Sequence, residues 1–510
     1  MFNSSRLSTF PIWEVACTAV LLYAAWMVAK GVYNWYFHPL AKFPGPRWAS
    51  FSPWWKINLE VLQGRNLTDE LFRLHAMYGD VVRIGPNELH FAKPNVYHEI
   101  YNPHNRWSRD PSLYHVFSIS ESLLTIMEYP RAKKRKDILQ PLFSRKAIIR
   151  MQHLIQDMAN RMCHNMEEHS RNKTSVDILR AYKCFSLDGI TSFCFGTSMN
   201  ATDAPDFEAP VGEAMHASLP IEPFLKHFPF VKNSLELFPA WVVSTVQPQL
   251  SGLMDLREAL RNQVKETVAH PEILEQAEHP TIFNNLLDVK DGGRPPSLIN
   301  LRDEALLMVF AGTDTSSTAL TIGTMHILDR PDIHRKLNEE LLQVWPNLSD
   351  RPTYEALDNL PYLKAVIKES LRLSSGVWSP MTRIVPREGA QIDGHFIPGN
   401  TAVGISNLFV HLNANIFPNP HTFEPNRWLQ SKDADSESLD HWLVAFSKGP
   451  RSCLGLNLGW CQLVLGFANV FRRFQLELDN VNASQMHWQE CYIPHYTGPE
   501  LKIAATPRVS

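Results

Sequence analysis

The sequence predicts a mainly α fold with a minor β part, preceded by a single N-terminal transmembrane helix. Three observations predict it. An apolar run from Ile12 to Ala29 is long enough for a tilted spanning helix. A stretch from Leu301 to Leu328 is apolar on nearly all sides between Ala305 and Ala311, the pattern of a core helix. Between Ile384 and Val403, short β-branched runs alternate with Gly and Pro, which reads as small hairpins. The 510 residues contain no repeat, low-complexity tract or Gly/Ser linker, so one large body is expected over residues 48–510. With 44% hydrophobic and 20% charged residues that body is globular and large enough to enclose a cofactor. A net charge of -3 offers no argument for a nucleic-acid partner.

The elements follow in order. Residues 1–36 are read as a retained anchor, because the apolar run is interrupted only by Glu14 and Thr18 and passes through Lys30 into the aromatic VYNWYF, which suits a membrane interface better than a signal cleavage site. Lys30, Lys42 and Arg47 follow the run and only Arg6 precedes it, which puts the body in the cytosol. In residues 37–47, Pro39, Pro44 and Pro46 predict an extended, stiff hinge. Asp80 to Gly85, DVVRIG, reads as a strand. The helix from Leu301 is expected to stop at Asp329-Arg-Pro331. Leu219 to Leu250, with Phe224, Phe228, Phe230, Phe238 and Trp241, is a candidate second membrane surface. Seven cysteines without metal or disulfide spacing indicate a reducing compartment, where the glycosylation-like triplets at Asn66 and Asn172 have no role.

Cys453 stands in FSKGPRSCLG and is followed by a helical pattern, so its sulfur is expected near a helix N-terminus, where backbone N–H groups lower a thiol pKa. Gly449 supplies a tight turn, Arg451 a nearby cation, and Gly455 clears space for a flat object. A buried anionic sulfur calls for a partner, and a metal is the most capable one. Phe446, Gly449, Arg451, Cys453 and Gly455 together match F-x-x-G-x-R-x-C-x-G, and the segment resembles the haem-binding loop of the cytochromes P-450, the haem-thiolate monooxygenases.

That resemblance extends along the body. Ala311-Gly-Thr-Asp-Thr-Ser316 looks like the family's oxygen-activation motif. Thr315 can turn its hydroxyl to the Ala311 carbonyl, Gly312 is expected to leave room for a diatomic ligand, and Asp314 beside Thr315 forms an acid–alcohol pair able to relay protons into a dry site. Glu369 and Arg372 match E-x-x-R, and Arg427 lies in Phe423-Glu-Pro-Asn-Arg-Trp428, which resembles the loop that completes a structural network beneath the cysteine. The resemblance assigns haem propionates to Arg383, Arg451 and a third cation. Here the sequence departs from the family, because Ala132 stands at an aromatic position and either Arg135 or Lys136 serves. The run Arg131, Lys133, Lys134, Arg135 and Lys136 is either a docking face for an acidic reductase or a solvated basic face.

By the same resemblance the cofactor is haem b, O2 is a substrate, and electrons come from NADPH through a separate NADPH–cytochrome P-450 reductase at the endoplasmic reticulum membrane. The segment FHPLAKFPGPR is similar to the hinge of fungal microsomal members of secondary metabolism. Substrate contacts are expected from Leu113 to Leu124, Leu306 to Phe310, Val377 to Met381 and the turn at Ile493, with Phe310, Val377, Trp378, Met381 and Ile493 making an apolar wall. A neutral terpenoid or meroterpenoid is favoured over a polyketide or alkaloid. A haem-thiolate isomerase or dehydratase, or a non-catalytic haem-binding protein, would have no need of the Asp314–Thr315 pair.

Overall fold

The computed structural model describes residues 12–117, 119, 121–231, 245, 251–288, 295–429 and 438–508. Its axis is the helix Leu298–Leu328. The helix starts a little before the predicted Leu301 because the Ser297 hydroxyl accepts from the Asn300 N–H at 3.2 Å and caps it. It ends at Leu328, and Pro331 opens the next helix, Pro331–Val344. Although apolar enough to cross a membrane, it is buried over 78% of its most hydrophobic stretch, so it is a core helix.

Against it pack the helices Ile178–Phe195, Pro361–Ser374 and Leu456–Arg473, and Arg145–Arg171 packs on the first and last of these. Ile178–Phe195 is capped by Asp177, which accepts from the N–H groups of Leu179 and Arg180, and stops at left-handed Gly196. Nearly every side chain on it is buried, Lys183 included. It comes close to the central helix at Gly312, where a Cβ would lie 2.6 Å from Ile190 Cγ1.

The β part forms a second, smaller core. Its five-stranded sheet runs in the order Val81–Gly85, Glu88–Phe91, Ala402–Gly404, Arg383–Ile384 and Ser108–Arg109. The third strand pairs parallel with the second, and the other pairings are antiparallel. The last pairing sets Arg109 opposite Arg383. A tight hairpin, Ala390–Ile392 with His395–Ile397, turns at Asp393 and Gly394, whose φ values of 50° and 72° fit a type I′ turn.

At the N-terminus the helix Ile12–Tyr36 continues past Ala29, and Trp13–Tyr36 has mean hydropathy 1.7 with 6% of that window buried, a candidate transmembrane span. The connector departs from the extended hinge expected. Residues 37–43 form turns, with Ala41 N–H bonding His38 O at 2.8 Å and Phe43 N–H bonding Leu40 O at 3.0 Å, and Leu40 and Phe43 are buried. The reason is that the helix end is docked. A Cβ on Gly31 would lie 2.2 Å from the Phe51 ring, and buried Arg83 donates to the Asn34 carbonyl at 2.9 Å and to Pro86 O at 2.5 Å. Of the suggested second membrane surface, Phe224 and Phe230 are exposed and Phe228 half-buried, while Phe238 and Trp241 lie outside the described residues.

Candidate functional site

Between the central helix and the Cys453 loop lies a cavity of about 1230 Å³, larger than the roughly 300–1,000 Å³ that suffices for one small ligand. Phe446, Arg451, Cys453, Gly455, Ala311, Gly312, Asp314 and Thr315 all border it. Its floor is shaped by the loop before helix Leu456–Arg473. Gly449 has φ +72°, and a Cβ there would stand 2.5 Å from the Tyr101 carbonyl, so only glycine fits that turn. Cys453 N–H donates to Phe446 O at 2.9 Å, which closes the loop, and the cysteine is exposed on the cavity wall.

The thiol is not depressed as the helix-terminus argument expects. Burial pushes it above its ordinary value, and the Gly455 N–H and the Lys136 ammonium pull it down without prevailing. Gly455, the N-cap, lies two residues beyond the cysteine. A bound metal cation would reverse that balance, since a coordinating thiol is deprotonated outright.

Cations ring one edge of the cavity. Arg109, Lys136 and Arg451 lie on its wall, with Arg383 one layer behind, donating to Tyr114 Oη at 3.2 Å and Met381 O at 2.9 Å. Lys136 also donates to Pro450 O at 3.1 Å and Ser452 O at 3.2 Å, tying the cysteine loop to its helix. Arg135 turns elsewhere. It meets buried Glu304 at 2.9 Å and does not border the cavity, whereas Lys136 does. Arg451 donates to carbonyls of Ile126 and Met127, while its Nε and Nη1 have no hydrogen bond among the described residues, nor does Arg109 Nε. Burial, then Arg109 and Arg383, push Arg451 down to about 8. Among the described residues no ion pair joins Arg109, Arg383 or Arg451 to a carboxylate. Mutually repelling buried guanidiniums with idle N–H groups fit an anionic guest with two carboxylates, and a thiol on the floor fits a metal at its centre.

On the opposite wall, Thr315 Oγ1 donates to Ala311 O at 2.7 Å, one turn back along the unbroken central helix. Gly312 borders the cavity, and its missing side chain faces Ile190 of helix Ile178–Phe195, so helix packing also requires its small size. Asp314 is buried and forms an ion pair with Lys183 Nζ at 3.1 Å. Otherwise its carboxylate oxygens have no partner among the described residues. Lys183 Nζ also lies 3.0 Å from His216 Nδ1, and His216 is held down to about 2 by burial and by Lys183, so it is a neutral acceptor. The ring of His495 sits 4.2 Å beyond His216.

Beneath the floor, Glu369 accepts from Arg372 Nε and Nη2 at 2.9 and 2.7 Å, Arg427 Nε at 3.2 Å, Trp428 Nε1 at 2.8 Å and Glu424 N at 2.9 Å. Arg372 Nη1 then donates to His411 O at 2.9 Å, and His411 Nε2 accepts from Val444 N at 2.9 Å. His411 thus joins the buried ion cluster to the segment that leads into the cysteine loop.

The expected pocket residues Phe310, Val377, Met381 and Ile493 border the cavity. Trp378 does not. Ser375 and Gly376 have φ of 57° and 63° and turn the chain, so the indole folds back to donate to Ser374 O at 3.0 Å. In the basic run Arg131 pairs with Glu121 at 2.9 Å and Lys133 with Asp137, and Arg131, Lys133 and Lys134 remain exposed. Arg109, Lys183, His411 and Glu222, which lies on the cavity wall, escaped the sequence reading.

A mainly helical fold in which a cysteine thiol opens on a cavity fit for such a guest is the arrangement of a haem-thiolate protein. The family model described as Cytochrome P-450 matches residues 46–493, and the chain belongs to that family. It is 34% identical over 503 residues to the cytochrome P-450 monooxygenase macH of Penicillium terrestre, covering 96% of this chain and 97% of the relative. The monooxygenase flvC of Aspergillus flavus is 32% identical over 94% of both chains. Conidiogenone synthase of Penicillium rubens is 30% identical, with 93% of this chain and 95% of that one covered.

Proposed function

We propose that this monooxygenase inserts one oxygen atom of O2 into a C–H bond of an apolar secondary metabolite, a terpenoid or meroterpenoid, using haem b and electrons from NADPH through a separate NADPH–cytochrome P-450 reductase. The carrying observation is the Cys453 thiol opening on a cavity whose wall holds Arg109 and Arg451, neither of which pairs with a carboxylate among the described residues. The haem, when bound, supplies oxygen activation and electron transfer. Cys453 would be its ligand, and Arg109, Arg451 and Lys136 would hold its carboxylates, with Arg383 supporting from behind.

The chain's own work is positioning and proton supply. Thr315 lends its hydroxyl proton to Ala311 at rest, so it must rotate to donate toward the cavity. Asp314 can feed it only after loosening from Lys183. The apolar part of the wall, Val116, Leu219, Leu306, Phe310, Val377 and Ile493, excludes water and favours hydrocarbon. A terpenoid is supported by that wall and by the relative named for conidiogenone. The helix Ile12–Tyr36 supports a single-pass anchor in the endoplasmic reticulum membrane with a cytosolic body.

The test is reconstitution with reductase, NADPH and candidate terpenoids under labelled O2. Substrate-dependent NADPH consumption with one labelled oxygen in the product is expected. Conversion without NADPH would establish an isomerase or dehydratase instead.

A further inference from the structure

The cavity roof is not wholly apolar. Helix Glu222–His227 and the turn before it contribute Leu219, Ile221, Glu222 and Leu225 to the wall. Glu222 is half-buried on that wall, near two buried carboxyls that are both satisfied. Glu60 meets Lys226 and, at 2.5 Å, His227 Nε2. Glu490 accepts from Thr68 N and Oγ1 at 2.8 Å and from Ser379 Oγ at 2.6 Å. The Glu222 side chain makes no hydrogen bond among the described residues, and its enclosed Oε2 has no partner there. Lys226, whose charge reaches Glu222, is already bonded to Glu60.

A carboxyl kept in a cavity wall without a protein partner is destabilising unless a ligand supplies the partner. Burial first, and then the neighbouring Glu60 and Glu490, raise Glu222 to about 8, with Lys226 opposing, so at neutral pH it is chiefly the protonated acid and a hydrogen-bond donor. Resting on the reading of this cavity as a substrate site, we propose that Glu222 is a specificity residue that donates its carboxyl proton to a carbonyl or hydroxyl oxygen on an otherwise hydrocarbon substrate. The substrate therefore arrives already oxygenated, the product of an earlier oxidation or of a cyclisation that leaves an oxygen. Lys226 disfavours an ammonium ligand at the same point.

The experiment is spin-state titration of the holoenzyme with a cyclic terpene hydrocarbon, the ketone of the same skeleton and the corresponding primary amine. Wild type should bind the ketone roughly tenfold more tightly than the hydrocarbon, the ratio that about 1.4 kcal/mol gives. Glu222→Gln, whose amide N–H still donates, should keep most of that preference. Glu222→Leu should reduce it to near one while leaving hydrocarbon binding equal or tighter. Since the donor is lost on ionisation, the wild-type preference should fall as pH rises through about 8, and that of Glu222→Gln should not. A ketone preference that survives Glu222→Leu, or an amine that binds best in wild type and weakens in Glu222→Gln, overturns the proposal. Absence of any spin-state shift with either neutral probe counts against the terpenoid substrate, whereas equal binding of both with normal shifts counts against Glu222 alone. Should Glu222→Leu fail to hold haem, infrared spectroscopy decides. A protonated-carboxyl stretch that moves when the ketone binds and is missing in Glu222→Gln supports the assignment, and a wild-type spectrum without it refutes it.

Discussion

Substituting Gly312 by Ala separates two roles for the same glycine. A Cβ there would stand 2.6, 2.8 and 2.9 Å from Cγ1, Cδ1 and Cβ of Ile190, against about 3.5–4.0 Å for a comfortable carbon contact. Because the Ile190 Cβ is fixed to its helix, rotation of the side chain cannot relieve all three contacts, and overpacking of this kind costs about 1–3 kcal/mol. Ala recovers about 0.5–1 kcal/mol over Gly within a helix, so the net loss is smaller than the strain itself. The clean quantity is the coupling in a cycle with Ile190→Ala, which removes the clashing branch. We expect a coupling of about 1–3 kcal/mol in thermal or denaturant unfolding of the haem-loaded protein, with the double variant more stable than the sum of the single changes predicts. Carbon monoxide association should be little changed in Gly312→Ala. Additive stabilities, together with a slowed association that Ile190→Ala does not restore, would show that the glycine serves a diatomic ligand after all.

Other outcomes follow from the same geometry. Cys453→Ser should abolish the red-shifted Soret band of the reduced carbon monoxide complex, and a normal band would exclude that ligand. Thr315→Ala should retain haem and reduction but release peroxide at the expense of product, so unchanged coupling between NADPH and product would route protons elsewhere. Lys183→Met leaves Asp314 buried and unpaired and should cost roughly 3–5 kcal/mol, with Asp314→Asn in the same chain restoring most of it, as denaturant midpoints would reveal. Removing residues before Phe37 should release the protein from membranes but lower its melting temperature below that of a chain cut before Lys30, which keeps Gly31 and the Asn34 carbonyl. Equal melting temperatures would mean the docked helix end contributes nothing.

What could be read in the sequence was chemistry carried by neighbours in the chain. The Cys453 loop, Thr315 with Ala311, and Glu369 with Arg372 each act within a few residues, so the short segments that carry the family resemblance contain them whole. Arg109 was hidden because it reaches the cavity by pairing across the sheet opposite Arg383, a register no local pattern encodes. Trp378 misled for a similar reason, since the left-handed turn at Ser375 and Gly376 redirects it. The clue to Lys183 was present and unused: a lone lysine in the apolar stretch ILRAYKCFSLDGITSFCF requires a buried acid. For Gly312 the sequence could show small size but not which neighbour required it.

The docked end of the N-terminal helix has a mechanical consequence. From Asn34 a continuous load path runs through Arg83 and Phe51 into the short helices at residues 47–57, then through the π-helical turn Asn58–Leu62 to Glu60, which grips Lys226 and His227 on the helix that carries Glu222 and Leu225 into the cavity roof. With no slack tether in that path, tilt imposed on the apolar helix by the thickness of a surrounding bilayer would be transmitted as torque to the roof. The room available above Thr315 would then vary with the lipid in which the protein sits.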